Sequence, residues 1–409
     1  MNILYINHYA GSPRHGMEFR PYYLAREWVR YGHKVTIVAS SYSHLRQHNP
    51  DMANVTGNYS YETIDGIDYI WCKTVEYPQN GVKRLLNIFD FLVKAYKLRK
   101  YIRSHIKPDL VIASSTYPFD TILAHKISRQ SNAKFYYEVH DLWPLTPMEI
   151  GGMSKYHPLI IAMQYAENYG YRNSDITVSM LPHALEYMQQ HGLSADRYKY
   201  VPNGIVIQDN QGQIEPLANT VLQQIMQIKS QYRFVVGYAG SLGESNAMEY
   251  LVDAMPYIND DIALVVVGGG VSRDKLVAQA TSHGVTNLYF IEAIGKYQIP
   301  ALLALFDACY IGWHDYPIYR FGISPNKIFD YMRASRPIIH STNLVNNLVN
   351  IAACGITVAA EDPHAIANGV NTIAKLSVDE LSQLGHNGNR YVLANHNYTV
   401  LARNFIDIM

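Results

Sequence analysis

The sequence predicts an α/β protein built from two Rossmann-like, doubly wound domains in tandem, and three observations carry that reading. Short β-rich runs alternate with longer helical stretches through both halves of the 409-residue chain, the pattern of parallel strands joined by helical crossovers. The alternation breaks once, after Pro202-Asn203-Gly204, in a polar stretch from about Gln208 to Asn219 that reads as a connector. In each half the first strand runs into a glycine-bearing loop and then a helix, where backbone N–H groups can approach a ligand.

In the first half, the runs Ile3–Asn7, Lys34–Ala39, Asp68–Cys72, Leu110–Ala113, Lys134–Val139, Ile176–Ser179 and Lys199–Val201 read as strands. In the second, Phe234–Ala239, Ala263–Val267, Leu288–Ile291, Ala308–Ile311, Pro337–His340 and Ile356–Val358 do. The predicted division is residues 1–204, residues 205–383, and a helical segment 384–409 that returns to the first domain.

Composition narrows the function. Lys plus Arg number 34 and Asp plus Glu 34, so the net charge is zero and the total gives no sign of a nucleic-acid-binding surface. The three cysteines, Cys72, Cys309 and Cys354, are far apart and in no metal-ligating or disulfide spacing. The start, MNILYINHYAGSP, enters a strand pattern without a signal-peptide layout. A cytoplasmic protein is the expectation, soluble or lying on a membrane surface, because no run approaches the roughly 18 apolar residues of a span.

Five segments can carry chemistry. The loop Gly11 to Gly16 follows the first strand and precedes a helix from about Phe19. Glu138-Val139-His140-Asp141 ends a strand, where open α/β sheets bind ligands; His140 can hydrogen-bond a sugar hydroxyl or diphosphate oxygen, and Asp141 can orient it or meet the acceptor. Gly240-Ser241-Leu242-Gly243 precedes a helix starting near Met248, and its main chain and Ser241 hydroxyl suit a phosphate. Gly268-Gly269-Gly270 ends the next strand and permits close approach of a base or ribose. In Ser324-Pro325-Asn326-Lys327-Ile328-Phe329-Asp330, hydroxyl, amide and ammonium groups gather at a helix start, suited to a diphosphate that gains charge as a glycosidic bond breaks. Asp330, one turn on, can accept hydrogen bonds from both ribose hydroxyls. Each segment also has a plain structural alternative, such as a tight turn, a helix cap or a surface charge.

Taken in order and spacing, these segments resemble the GT-B fold, family 4-like retaining glycosyltransferases, particularly those that build bacterial O-antigen and capsule units. The likeness also rests on Gly32-His33, Pro202-Asn203-Gly204 and Cys354-Gly355-Ile356-Thr357 before Glu361-Asp362-Pro363, and it spans nearly the whole chain. It implies two domains facing across a cleft, a nucleotide-diphosphate-sugar donor, uridine-linked, on the C-terminal domain, and an acceptor on the N-terminal one. It also implies catalysis without a metal or further cofactor. On this reading His140, Asp141 and Lys327 are catalytic, and Gly16, Gly240, Ser241, Gly269, Ser324, Asn326, Lys327 and Asp330 hold the donor.

The chain departs from the family pattern in three places. Gly322 stands where many relatives carry a sugar-gripping acid eight positions before the ribose carboxylate, and Ser241 and Asn246 stand where many carry a diphosphate-binding Arg and Lys. Lys327 then has more charge to neutralise, with Arg14, Arg20 or Arg320 as helpers.

The stretch Gly81 to Pro108 places Leu85, Phe89, Leu92 and Tyr96 at helical spacing among eight basic residues, Lys83 to Lys107, opposed by Asp90 alone. Such a helix either buries its stripe in the core or lies on anionic lipid and brings the site to a polyprenyl-diphosphate-linked saccharide. Two rival readings are a nucleotide-sugar epimerase on the same scaffold, disfavoured by the scarcity of cleft acids and histidines, and an inactive GT-B partner subunit, which Gly322, Ser241 and Asn246 would favour.

Overall fold

The computed structural model describes residues 1–44, 46–77, 81–207, 215–344 and 347–407; residues 208–214 of the expected connector lie outside them. The chain forms two compact units. The first holds Met1–Asn203, Arg320–Ser324 and the C-terminal stretch from Tyr398, and the second holds Gly204–Tyr319 and Pro325–Asn397.

In the first unit the strands are β1 (Asn2–Ile6), β2 (Lys34–Ser40), β3 (Tyr59–Ile64), β4 (Ile67–Cys72), β5 (Leu110–Ala113), β6 (Lys134–Val139), β7 (Ile176–Ser179) and β8 (Tyr198–Tyr200). Among the described residues they form one sheet in the order β3-β4-β2-β1-β5-β6-β7-β8. All neighbours are parallel except β3 and β4. The antiparallel β3 escapes the strand pattern read from sequence because it is polar and at an edge. Its signal is Asp65-Gly66, both at positive φ (50° and 79°), the two-residue turn that closes tight hairpins.

Parallel strands covered on both faces read as apolar throughout, and Ile3, Leu4, Tyr5 and Ile6 of β1 are all fully buried. The helix Arg20–Arg30 lays Leu24, Ala25 and Trp28 inward. Trp28 Nε1 donates to Ala402 O at 2.9 Å, and its ring meets Phe405 edge-on at 5.3 Å, so the helix Tyr398–Ile406 packs within this unit. The C-terminal segment is two helices, Val378–Asn395 and Tyr398–Ile406, and the first of them belongs to the second unit.

The second unit contains β9 (Phe234–Ala239), β10 (Ile262–Val267), β11 (Leu288–Ile291), β12 (Ala308–Gly312), β13 (Ile338–Ser341) and β14 (Gly355–Val358). Among the described residues these form a sheet in the order β11-β10-β9-β12-β13-β14, parallel throughout. One apolar cluster centres on Val235, Val265, Ile311 and Phe329 and another on Val236, Leu264, Tyr310 and Val370, so both faces of the sheet are covered. Gly237 is required here, since a Cβ would lie 1.9 Å from the Phe306 ring.

Candidate functional site

An open parallel sheet leaves a crevice where the chain reverses its direction of winding, beyond the carboxyl ends of the two flanking strands. In the first unit β1 lies between β2 and β5, so the crevice lies between β1 and β5. Their ends carry Asn7-His8 and Ser114-Ser115. Asn7 Nδ2 donates to Ser114 O at 2.6 Å and to Ser114 Oγ at 3.1 Å.

Next to this crevice β6 ends in Glu138 and Val139, and His140 follows. Glu138 is fully buried; its carboxylate pairs with Arg20 Nε at 2.8 Å and accepts from Ser114 Oγ at 2.6 Å and from the Tyr5 hydroxyl. His140 Nε2 lies 2.8 Å from Ser114 Oγ and 3.3 Å from Glu138 Oε2. Burial raises a carboxyl and lowers an imidazole, but here the charges win. Arg20, His140 and the Ser114 hydrogen bond hold Glu138 well below the carboxylate range, and Glu138 holds His140 above the usual histidine value. Ser114 and Glu138 thus hold His140 in place, and Glu138 favours its charged form. Glu138 lies two residues before His140, the spacing that puts both side chains on one face of an extended chain.

Asp141 serves a local role: its Oδ1 accepts from Leu142 N at 3.0 Å and Thr146 Oγ1 at 2.8 Å, fixing the turn into the helix Leu145–Glu149. Gly16 closes the Gly11–Gly16 loop on itself, with its N–H donating to Ser12 O at 2.8 Å. Of the expected helper cations, Arg20 is buried and also donates to Val201 O and Pro202 O at 2.8 and 2.6 Å. Arg14 pairs with Glu62 at 3.1 Å, and Arg320 reaches both oxygens of Glu149 at 2.8 Å. Ser324 groups with the first unit: its Oγ accepts from Asn203 N and its O from Asn203 Nδ2, both at 2.9 Å.

In the second unit the crevice falls between β9 and β12. The loop after β9 and the loop after β10 press backbone to backbone: Gly240 N donates to Val267 O at 3.0 Å and Leu242 N to Gly269 O at 2.9 Å. A Cβ on Gly268 would lie 1.9 Å from Gly240 O, and one on Gly270 2.6 Å from Leu242 O, so these glycines are demanded by that approach. Gly269 itself faces open space, and Ser241 is exposed, with its carbonyl accepting from Tyr238 OH at 2.6 Å.

The helix Asn326–Arg333 brings Lys327 to this loop. Its Nζ donates to Asn246 Oδ1 at 2.8 Å and lies 5.4 Å from the centre of the Tyr238 ring. The stem crosses Gly240, where a Cβ would lie 2.1 Å from Lys327 Cε. Burial pushes the Lys327 ammonium down to about 8, with Asp330 pulling the other way. Asp330 is open to solvent, yet the protein around it lifts its carboxyl to about 6 against the pull of Lys296 and Lys327. Lys296, which follows β11, is a cation the sequence reading passed over. Asn326 is exposed at the start of the helix. The structure therefore gathers Gly240, Asn246, Lys327 and Asp330 in the second unit, and His140, Glu138 and Ser114 in the first.

Two doubly wound units in one chain, each with polar side chains gathered at its switch point, constitute the GT-B architecture. The comparisons agree. The family model Glycosyltransferase Family 4 matches residues 14–209, and the model Glycosyl transferases group 1 matches residues 233–375. No curated protein sequence matches significantly. Among solved structures, Anabaena HepE, in complex with UDP and glucose, is 14% identical over 100% of this chain and 99% of its own, with a TM-score of 0.67. Sucrose-phosphate synthase from Thermosynechococcus elongatus is 16% identical over 100% and 98%, with a TM-score of 0.73. WaaG, a glycosyltransferase involved in lipopolysaccharide biosynthesis, is 13% identical over 99% of each chain, with a TM-score of 0.65. At these identities the structural likeness speaks for the fold. The chain belongs to the family 4-like GT-B glycosyltransferases, and it is a glycosyltransferase.

Proposed function

We propose that the protein moves a glycosyl group from a uridine-diphosphate sugar to a hydroxyl of a lipid-linked saccharide in surface-polysaccharide assembly, with retention of configuration and without a metal. The observation that carries this reading is Lys327, held by Asn246 over Gly240 at the second unit's switch point. A cation fixed in a partly desolvated loop stabilises the charge that develops on a departing diphosphate. The donor assignment is supported by the UDP and glucose bound in HepE and by the UDP-2-fluoro glucose bound in an E. coli structure of similar fold. Asp330 would hold the ribose, and His140, charged through Glu138, would meet the donor sugar or its phosphate.

Among the described residues no carboxylate is placed as an evident nucleophile, so the acceptor would attack on the face that the diphosphate leaves, and a leaving phosphate oxygen would take its proton. The helix Val82–Lys97 supports a lipid-linked acceptor. It turns Ile88, Phe91 and Ala95 inward, while Val82, Leu86, Phe89, Val93 and Tyr96 form an exposed stripe among Lys83, Lys97 and Lys100. Of the stripe expected from sequence, Phe89 and Tyr96 are exposed and Leu85 and Leu92 half-buried. Among the described residues no helix is long and apolar enough to cross a membrane, and this stripe would instead lie on the inner leaflet.

The test is a thermal-shift screen of nucleoside diphosphates and their sugars, followed by product detection with a polyprenyl-diphosphate-linked acceptor. Specific binding raises Tm by mass action. Stabilisation by a nucleotide sugar, lost in Lys327→Ala, is the expected result; no stabilisation by any uridine, guanosine or thymidine diphosphate would overturn the proposal.

A further inference from the structure

We infer that His314 is a positioning residue that sets the cation Lys327 by clamping the loop that holds it; the inference rests on the donor reading above. His314 follows β12, on the far side of the second unit's switch point from the Gly240 loop, and its side chain is only 12% exposed. Nδ1 lies 2.7 Å from Glu361 Oε1, and Nε2 lies 2.9 Å from Glu244 O and 3.5 Å from Glu249 Oε1. Both ring nitrogens meet acceptors, so the ring ties three segments together: the loop after β12, the loop after β14, and the turn Glu244–Asn246 that ends the Gly240 loop.

That turn carries Asn246, the partner of Lys327. Asn246 is committed within it, with Nδ2 donating to Ser241 O at 3.1 Å and to Gly243 O at 3.3 Å, which leaves Oδ1 for the ammonium. A chain of contacts thus runs from Glu361 through His314 and Glu244 O to the turn, and from Asn246 to Lys327 Nζ. Glu361 keeps a left-handed backbone at φ 58°, a conformation an acidic side chain seldom adopts, and its carboxylate also accepts from Asp315 N at 3.4 Å. The edge-on ring of Tyr250 at 5.9 Å and the ring of Tyr316 at 5.1 Å enclose the imidazole. Where Asn246 replaces a family cation, a clamp on the loop gives the remaining cation the fixed position it needs.

The experiment is titration calorimetry of wild type, His314→Ala, Lys327→Ala and the double variant. The probes are UDP or GDP, whichever the wild type binds, and the matching nucleoside. His314→Ala is expected to weaken the diphosphate by roughly five-fold or more, to leave the nucleoside unchanged, and to add little to Lys327→Ala, as coupled neighbours do. His314→Gln, which keeps a donor, recovers part of the loss. If His314→Ala does not fold, Glu361→Gln removes the charge from the same clamp and takes its place. Unchanged diphosphate affinity, equal loss of diphosphate and nucleoside, or fully additive losses would each overturn the inference while the donor reading stood. Unchanged affinity in Lys327→Ala would instead remove the donor reading and this inference with it.

Discussion

Lys327 reaches Asn246 Oδ1 by crossing a glycine: its Nζ sits 2.8 Å from that oxygen, and its stem occupies the space where a Cβ on Gly240 would be. The lysine is thus built into the loop, and burial brings its ammonium down to about 8. Only the charged form offsets a departing diphosphate. The expected profile of kcat/KM, which reports the free enzyme, falls on the alkaline side as pH rises through about 8. Lys327→Ala should lower kcat/KM by roughly 10²–10³-fold, as loss of a fixed charge-stabilising donor does, and abolish the alkaline limb. A limb that survives in the variant belongs to another group.

Gly322 is the position where many relatives carry a sugar-gripping acid, and the backbone explains why no side chain stands there. Its φ is 91°, and a Cβ would lie 2.6 Å from Pro182. Gly322→Glu therefore restores the family residue in a place that cannot accept it. The variant should lose about 1–3 kcal/mol of stability from the strained backbone and the forced contact. Denaturant unfolding with donor kinetics on the same samples checks this. A variant as stable as wild type, with faster turnover, would show that the glycine is a dispensable departure.

The fold was legible because buried parallel strands are uniformly apolar: Leu110–Ala113, Lys134–Val139 and Phe234–Ala239 have the bounds that the pattern predicts. The edge strand Tyr59–Ile64 was not, since it alternates too weakly, although Asp65-Gly66 marked its turn. In the site, Lys327 and Gly240 could be singled out locally, but their contact joins positions 87 residues apart, beyond any periodicity. Ser114 was missed for the same reason, and Glu138 stood in the quoted segment without a role because its partner Arg20 lies 118 residues away. A serine after β5 means nothing until the strand order places it beside β1 and β6. Arg14, Arg20 and Arg320 looked available in sequence because a buried or bidentate partner is a tertiary fact.

The helix Val82–Lys97 gives a prediction independent of catalysis. Phe89 and Val93 are 45% and 52% exposed, and Phe89 packs at 5.6 Å against the half-buried ring of Phe119, so their replacement spares the buried core. Phe89→Glu with Val93→Glu should abolish sedimentation with vesicles rich in anionic lipid while shifting Tm by no more than about 1–2 °C. Vesicle binding that persists in this pair would place lipid contact elsewhere.

Glu167 supplies a pH test of the first unit. It is fully buried and accepts from Tyr171 OH at 2.9 Å, Tyr187 OH at 3.0 Å and Gln164 Nε2 at 2.8 Å. Burial raises its carboxyl from 4.5 to about 8, and the three donors only partly restrain the shift. A folded state that holds the proton more tightly than the unfolded chain is favoured at low pH, so stability is lost as pH rises from about 4.5 to about 8. Glu167→Gln keeps the shape without the titration. The variant should match wild type within error near pH 5 and exceed it at pH 8, by an amount of order 1–3 kcal/mol, or a few °C in Tm. Thermal unfolding of both proteins across that range decides the matter, because a constant difference would mean that the tyrosines and Gln164 keep Glu167 ionised despite its burial.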